Sequence, residues 1–151
     1  MTTIVYRGGV LAADSRAYSG DRVPIGSKRK IHRLDDGTLL GVSTTSVGGD
    51  ALVRRWVEAG CPTATGDTLK PENFSALMIR PNGEVFFANN NLDWSGPLSG
   101  DMFAIGSGDQ FALGAMQVGA TAAEAVAAAI RLDPWSDGEI TVLNLLGGEA
   151  T

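Results

Sequence analysis

Thr2 carries a hydroxyl and, once Met1 is removed, a free α-amine on the same residue. An α-amine titrates near neutrality (about 7.7–8.0), which makes it the only main-chain group able to act as a general base at physiological pH. A hydroxyl nucleophile with such a base on its own residue can attack a carbonyl carbon and move the proton without a separate histidine. With Met1 attached, the Thr2 nitrogen is an amide and accepts no proton. Many chains begin Met-Thr, so this start acquires meaning only from the residues that follow. Asp14 ends the apolar run Leu11-Ala12-Ala13, and Lys30 closes Gly26-Ser27-Lys28-Arg29-Lys30. Ser107 stands between Gly106 and Gly108, and Asp133 and Ser136 share Leu132-Asp133-Pro134-Trp135-Ser136-Asp137-Gly138. Each has a plain structural explanation: a strand end, a solvated basic run, a helix cap, a helix-stopping turn. Their order and spacing suit a nucleophile at the chain start.

The elements that must position these residues can be read from pattern. Thr2–Tyr6 and Val10–Ala13 flank Arg7-Gly8-Gly9 as a hairpin. Asp14–Ser27, polar and glycine-containing, reads as a loop with some extended structure. Lys30–Leu34 and Thr38–Val42 flank Asp35-Asp36-Gly37 as a second hairpin, with His32 an ordinary strand residue. Gly49–Ala59 places Ala51, Leu52, Trp56 and Val57 near helical spacing, with Gly60 at the C-cap. Cys61–Asn73 reads as a loop. Phe74–Ile79 and Val85–Ala88 bracket Pro81-Asn82-Gly83 as a third hairpin, and Asn89–Gly100 is turn-rich, with Trp94 tucked into the core. Phe103–Ile105 is a strand, Asp109–Val118 and Thr121–Leu132 are helices, and Ile140–Leu145 is the closing strand. Thr121 and Glu124 have capping-box spacing. Runs of strands, rather than βα alternation, predict an α+β fold of two stacked antiparallel sheets with helices outside.

Bulk properties bound the function classes. A chain of 151 residues is long enough for a single domain, 1–151, around its own core. Net charge −5 argues against nucleic acid or anionic lipid as the main partner. The single cysteine, Cys61, excludes an intramolecular disulfide and fits the reducing cytoplasm. No apolar run approaches membrane-spanning length, and no basic segment followed by an apolar stretch opens the chain, so neither membrane insertion nor secretion is expected. His32 is the only histidine, without a ligand cluster for a metal.

Five segments in collinear order resemble a proteasome β-subunit, a member of the N-terminal-nucleophile hydrolases that include the bacterial two-ring peptidase. They are Thr2-Thr3-Ile4-Val5, Ala12-Ala13-Asp14-Ser15-Arg16, Gly26-Ser27-Lys28-Arg29-Lys30-Ile31, Ala104-Ile105-Gly106-Ser107-Gly108 and Asp133-Pro134-Trp135-Ser136-Asp137-Gly138. The resemblance implies a four-layer α/β/β/α sandwich and a threonine peptidase that needs no metal or organic cofactor. It implies a homo-oligomeric ring, a polypeptide substrate and an ATP-dependent unfoldase as partner. By the same resemblance Thr2 is the nucleophile, and Lys30, held charged by Asp14, lowers the pKa of its hydroxyl and amine. Ser107, Ser136 and Asp133 hold the amine and relay its proton. Oxyanion donors come from the main chain around Ser43, Thr44 and Thr45, with Ser43 near the base of a small specificity pocket.

The chain departs from the family pattern in three places. Val42-Ser43-Thr44-Thr45-Ser46 stands where the family has a small, glycine-containing segment, and the β-branched Thr44 and Thr45 restrict the backbone there. Asp137 replaces a usual glycine, adding negative charge near the amine. One helix, rather than two long ones, falls between the second and third strand groups, so that helical layer is shortened. The altered oxyanion segment, the shortened helical layer and the presence of Met1 motivate a competing reading as a catalytically silent scaffold subunit, and a small-amide hydrolase would use the same nucleophile logic.

Overall fold

Strand β1 (Ile4–Arg7) shows in four residues why this chain layers. Ile4 and Tyr6 point to one face and Val5 to the other, and all three are buried. A strand buried on both faces must lie between two further layers. The computed structural model describes residues 1–19, 23–46, 48–62, 73–90, 93–147 and 149–150. Within them β1 pairs antiparallel with β2 (Val10–Ala13) across the Gly8-Gly9 turn, where both glycines have positive φ, as a tight hairpin turn requires. Two later strands, β9 (Met102–Ile105) and β10 (Thr141–Asn144), flank that hairpin, and β11 (Glu149–Ala150) completes a sheet of order β11-β10-β2-β1-β9.

The second sheet has order β5-β6-β7-β8, from β5 (Ile31–Arg33), β6 (Leu39–Thr44), β7 (Phe74–Ile79) and β8 (Val85–Asn89). Period-2 alternation assigns its residues to opposite layers. Leu39, Leu77 and Ile79 meet Ile4, Leu11 and Leu143 of the first sheet in the core between the sheets. Leu40, Ala76 and Met78 face outward onto α1 (Gly49–Glu58). The sheets approach so closely at Gly41 that a Cβ there would sit 2.7 Å from Ile4 Cγ2. On the far side, Val5 and Ala12 face α2 (Asp109–Gln117) and α3 (Ala122–Leu132) through Ala112, Met116, Ala125 and Ala129. The result is the expected α/β/β/α sandwich of two antiparallel sheets.

Local signals hold where they rest on specific hydrogen bonds. The Thr121 hydroxyl accepts from the Glu124 N–H while Glu124 accepts from the Thr121 N–H, a complete capping box. Past α1, Gly60 (φ 87°) donates to Val57 O and Cys61 to Trp56 O, the paired bonds of a Schellman C-cap. The extended structure expected within Asp14–Ser27 is more regular than a loop: β3 (Arg16–Ser19) and β4 (Val23–Ser27) form a two-stranded ribbon. Its polar composition hid the alternation of Val23 and Ile25, and it packs through Tyr18, edge-on to Trp135 at 5.8 Å. The β11 strand, at two residues, is too short to give a periodic signal. Residues 63–72, most of the loop expected after α1, and Asn91 and Leu92 in the turn-rich segment lie outside the described residues.

Trp56 is fully buried, stacks on Trp94 at 5.8 Å, meets Phe74 edge-on and donates its Nε1–H to Pro62 O. Trp94 is therefore part of the core beneath α1, as expected. Trp56→Ala is expected to destabilise the fold by about 3–5 kcal/mol in urea unfolding, because a large cavity opens between α1 and the second sheet. His32 on β5 has its pKa lowered by burial first, then by the Arg54 and Arg29 cations. In the unfolded chain it takes up a proton near its ordinary value of 6.5, but folded it does so only at lower pH. Stability from this residue is therefore fully present above pH 6.5 and falls as the pH drops below it. The melting temperature should fall between pH 7.5 and pH 5.5, and His32→Gln should flatten that fall.

Candidate active site

The start of β1, the end of β2, the start of β5 and the turn after α3 converge on one buried ion pair. Asp14 is 0% and Lys30 1% exposed, with Nζ to Oδ2 at 2.9 Å. Buried charges persist only when their remaining donors and acceptors are met. Asp14 Oδ1 accepts from the Thr3 N–H at 3.0 Å, and Oδ2 also accepts from the Asp137 N–H at 3.1 Å. Lys30 donates a second bond, 3.1 Å, to Met1 O. Burial pulls the Lys30 pKa down, and the Asp14 charge opposes that pull. Lys30 is tied to the second sheet through its carbonyl, which accepts from Val42 N–H.

Above this pair lies the chain start. Thr2 and Thr3 are buried, and Thr2 Oγ1 donates to Met1 O at 2.6 Å. Thus the Thr2 hydroxyl and the Lys30 ammonium converge on a single oxygen, the Met1 carbonyl. The Thr2 N–H donates to Ser107 Oγ at 3.1 Å, and the Met1 amine also reaches that oxygen. Burial, followed by the Lys30 charge, lowers the Met1 amine pKa against the upward pull of Asp133 and Asp14. Ser107 Oγ donates to Asp133 Oδ2 at 2.7 Å, and Ser136 Oγ donates to the same oxygen at 2.6 Å. Ser136 does not reach the Thr2 nitrogen; its contact is with Thr3 Oγ1, 2.7 Å away.

Backbone without side chains makes this approach possible. Gly106 (φ 98°) would place a Cβ 2.0 Å from Thr2 O, and Gly108 would place one 2.0 Å from Thr3 Oγ1. Gly106-Ser107-Gly108 is therefore required in this form where β9 hands over to α2.

Six of the residues singled out by sequence thus meet in one connected network: Thr2, Asp14, Lys30, Ser107, Asp133 and Ser136. Ser43, Thr44 and Thr45 stand outside it. Strand β6 runs further than its apolar pattern suggested, so Ser43 and Thr44 pair with Ser75 and Phe74 of β7. The Thr45 N–H donates to Asn73 O at 3.4 Å, and the Ser46 N–H to Thr44 Oγ1. Asp137 contributes its N–H to Asp14, while its exposed carboxylate accepts from the Gly138 N–H. Thr3 was not singled out, since a second threonine in a β-branched run looks like strand composition. Among the described residues, no three His, Cys, Asp or Glu side chains gather as metal ligands would. A cavity of about 370 Å³, lined by Leu77, Phe87, Leu98, Phe103 and Ile105, opens at the sandwich edge beside Gly106.

No protein-family model and no curated protein matches this chain in sequence. Its fold, however, superimposes on that of HslV from Trypanosoma brucei with a TM-score of 0.69, 19% identity, and coverage of 95% of this chain and 98% of that one. The chain has the HslV fold. BPH from Thiobacillus denitrificans matches with a TM-score of 0.64 and 19% identity over 95% of this chain and 97% of its own. The same protein solved in complex with epoxomicin matches with a TM-score of 0.63, again at 19% identity. The α+β architecture read from the order of elements is therefore the fold of these proteins.

Lys30→Met is expected to cost about 3–5 kcal/mol in denaturant unfolding, because it leaves Asp14 buried without its counter-ion. A loss below about 1 kcal/mol would mean that the pair behaves like a surface contact.

Proposed function

We propose that this chain is a threonine-type endopeptidase subunit of a ring-shaped, proteasome-like assembly, with Thr2 as its N-terminal nucleophile once Met1 is removed. The observation that carries the reading is the convergence of Thr2 Oγ1 and Lys30 Nζ on the Met1 carbonyl oxygen. Loss of Met1 removes that oxygen and leaves a hydroxyl beside a buried ammonium. It also turns the nitrogen now bonded to Ser107 into a free amine.

The chemistry follows from those positions. Thr2 Oγ attacks the peptide carbonyl carbon and its proton passes to the Thr2 amine, directly or through a water. The tetrahedral intermediate collapses, the C–N bond breaks, and the leaving amine takes that proton. Water, activated by the same amine, then hydrolyses the ester and regenerates Thr2. Lys30 stabilises the developing alkoxide, and Asp14 keeps Lys30 charged and aimed. Ser107, backed by Asp133 and Ser136, accepts a hydrogen bond from the amine and so leaves its lone pair directed elsewhere. We assign the oxyanion donors to the main chain at the end of β6, around Ser43 and Thr44, and to Thr45 just after it.

The epoxomicin complex of BPH supports a covalent nucleophile on this fold, and the match to HslV supports a ring. In this reading the ring is a homo-oligomer, its substrate an unfolded polypeptide supplied by an ATP-dependent unfoldase, and its compartment the cytoplasm. A specificity pocket near Ser43 would be small.

Intact mass of the chain with and without epoxomicin tests the reading. Loss of Met1 plus one covalent adduct, absent in Thr2→Ala, is expected. Retained Met1 with no adduct would favour a scaffold subunit. Lys30→Ala in the Met1-free chain should abolish peptide hydrolysis, and a variant keeping most of the parent rate would remove Lys30 from the mechanism.

A further inference from the structure

We propose that Thr3 is a positioning residue for this reaction: its hydroxyl donates into the Ser136–Asp133–Ser107 chain and sets how much negative charge that chain turns toward the Thr2 nitrogen. The inference rests on the Thr2 reading above.

Proton counting fixes the direction of the bonds. A serine hydroxyl has one proton. Ser136 spends its proton on Asp133 Oδ2 at 2.6 Å, and Ser107 does the same at 2.7 Å, since the other acceptor in its reach, Thr2 O, is uncharged and 3.4 Å away. Ser136 therefore has no proton left for Thr3, and the 2.7 Å contact between them runs from the Thr3 hydroxyl onto a Ser136 lone pair. Ser107, with its proton committed, faces the Thr2 nitrogen only as an acceptor. Every hydroxyl in the chain thus points toward Asp133.

Thr3 also spans both carboxylates. Its N–H holds Asp14, the partner of Lys30, while its side chain reaches Asp133 through Ser136. It is 0% exposed, and its Oγ1 lies where a Cβ on Gly108 would come within 2.0 Å. The hydroxyl thus packs directly against the Gly108 backbone.

Removing it without changing shape should therefore be felt at the amine. In chains of hydrogen bonds each donor polarises the next by roughly 10–30%. Without the Thr3 donor, Ser136 is a weaker donor to Asp133, and that carboxylate keeps more of its charge. Negative charge beside an amine raises its pKa. Asp133 after α3, Lys30 before β5 and Asp14 after β2 act on the Met1 amine, which shares the Ser107 oxygen with the Thr2 nitrogen, and they are the titratable groups that face this corner of the site. Asp109, at the start of α2, lines the cavity beside Gly106, and the Asp137 carboxylate is exposed.

The test compares Met1-free parent, Thr3→Val and Thr3→Ser. Two quantities are read against pH: the α-amine titration, by competitive acetylation and mass spectrometry of the N-terminal peptide, and kcat on a fluorogenic peptide amide. Thr3→Val should raise the amine pKa and move the acid limb of kcat to higher pH. The rate near pH 6.5 should fall by about two- to fivefold, with the alkaline plateau nearly unchanged. Thr3→Ser, which keeps the hydroxyl, should superimpose on the parent. Where Thr3→Val does not fold, Ser136→Ala cuts the same link from its other end and should shift the titration in the same direction. An unshifted amine in Thr3→Val, or an equal shift in Thr3→Ser, overturns the proposal. A parent that neither turns over peptide nor takes up epoxomicin overturns the peptidase reading, and the amine titration still decides the coupling to Thr3.

Discussion

The buried ion pair between Asp14 and Lys30 is the constraint on which the rest of the site depends. Two charges withdrawn from water are tolerated only where every remaining lone pair and proton finds a partner. Here those partners are the Met1 carbonyl and the Thr3 N–H at the chain start and the Asp137 N–H in the turn after α3. Satisfying the pair therefore fixes the start of β1 against the end of β2, the start of β5 and the turn after α3. A strand that begins at such a junction has its first residues held by both backbone and side-chain bonds, which is what a nucleophile at a chain terminus requires.

A second carboxylate, Asp133, works differently. It has no cation in direct contact in this network; two serine hydroxyls and the Trp135 N–H satisfy it. Its charge remains within reach of the Met1 nitrogen, where it opposes the effects of burial and Lys30. The nitrogen thus sits between a cation that favours its neutral form and an anion that favours its protonated form. The glycines at 106 and 108 serve this arrangement by letting the Thr2 carbonyl and the Thr3 hydroxyl lie against the backbone on either side of Ser107.

Much of the fold was legible in the chain. Elements specified by near neighbours matched: the Gly8-Gly9 hairpin, the capping box at Thr121 and Glu124, and the C-cap at Gly60. The β3–β4 ribbon was legible only as some extended structure within a loop, because β4 is exposed along its whole length and so carries no buried-face pattern. The extent of β6 was underread for a related reason. Ser43 and Thr44 are strand residues only because β7 pairs with them, not because they are apolar. That extension changes the setting of the segment expected to supply oxyanion donors.

The candidate site divides along the same line. The residue types and their order, a threonine at the start, then Asp14, Lys30, Ser107, Asp133 and Ser136, are properties of the sequence alone. So is the glycine on either side of Ser107. What only the tertiary structure decided is which hydroxyl serves which acceptor. Ser136, expected to help hold the amine, instead receives Thr3 across 133 residues of chain, and Ser107 meets Thr2 across 105. Sequence spacing carries no information about directions of approach over such separations, because those are set by two sheets stacking and by how closely their backbones come together.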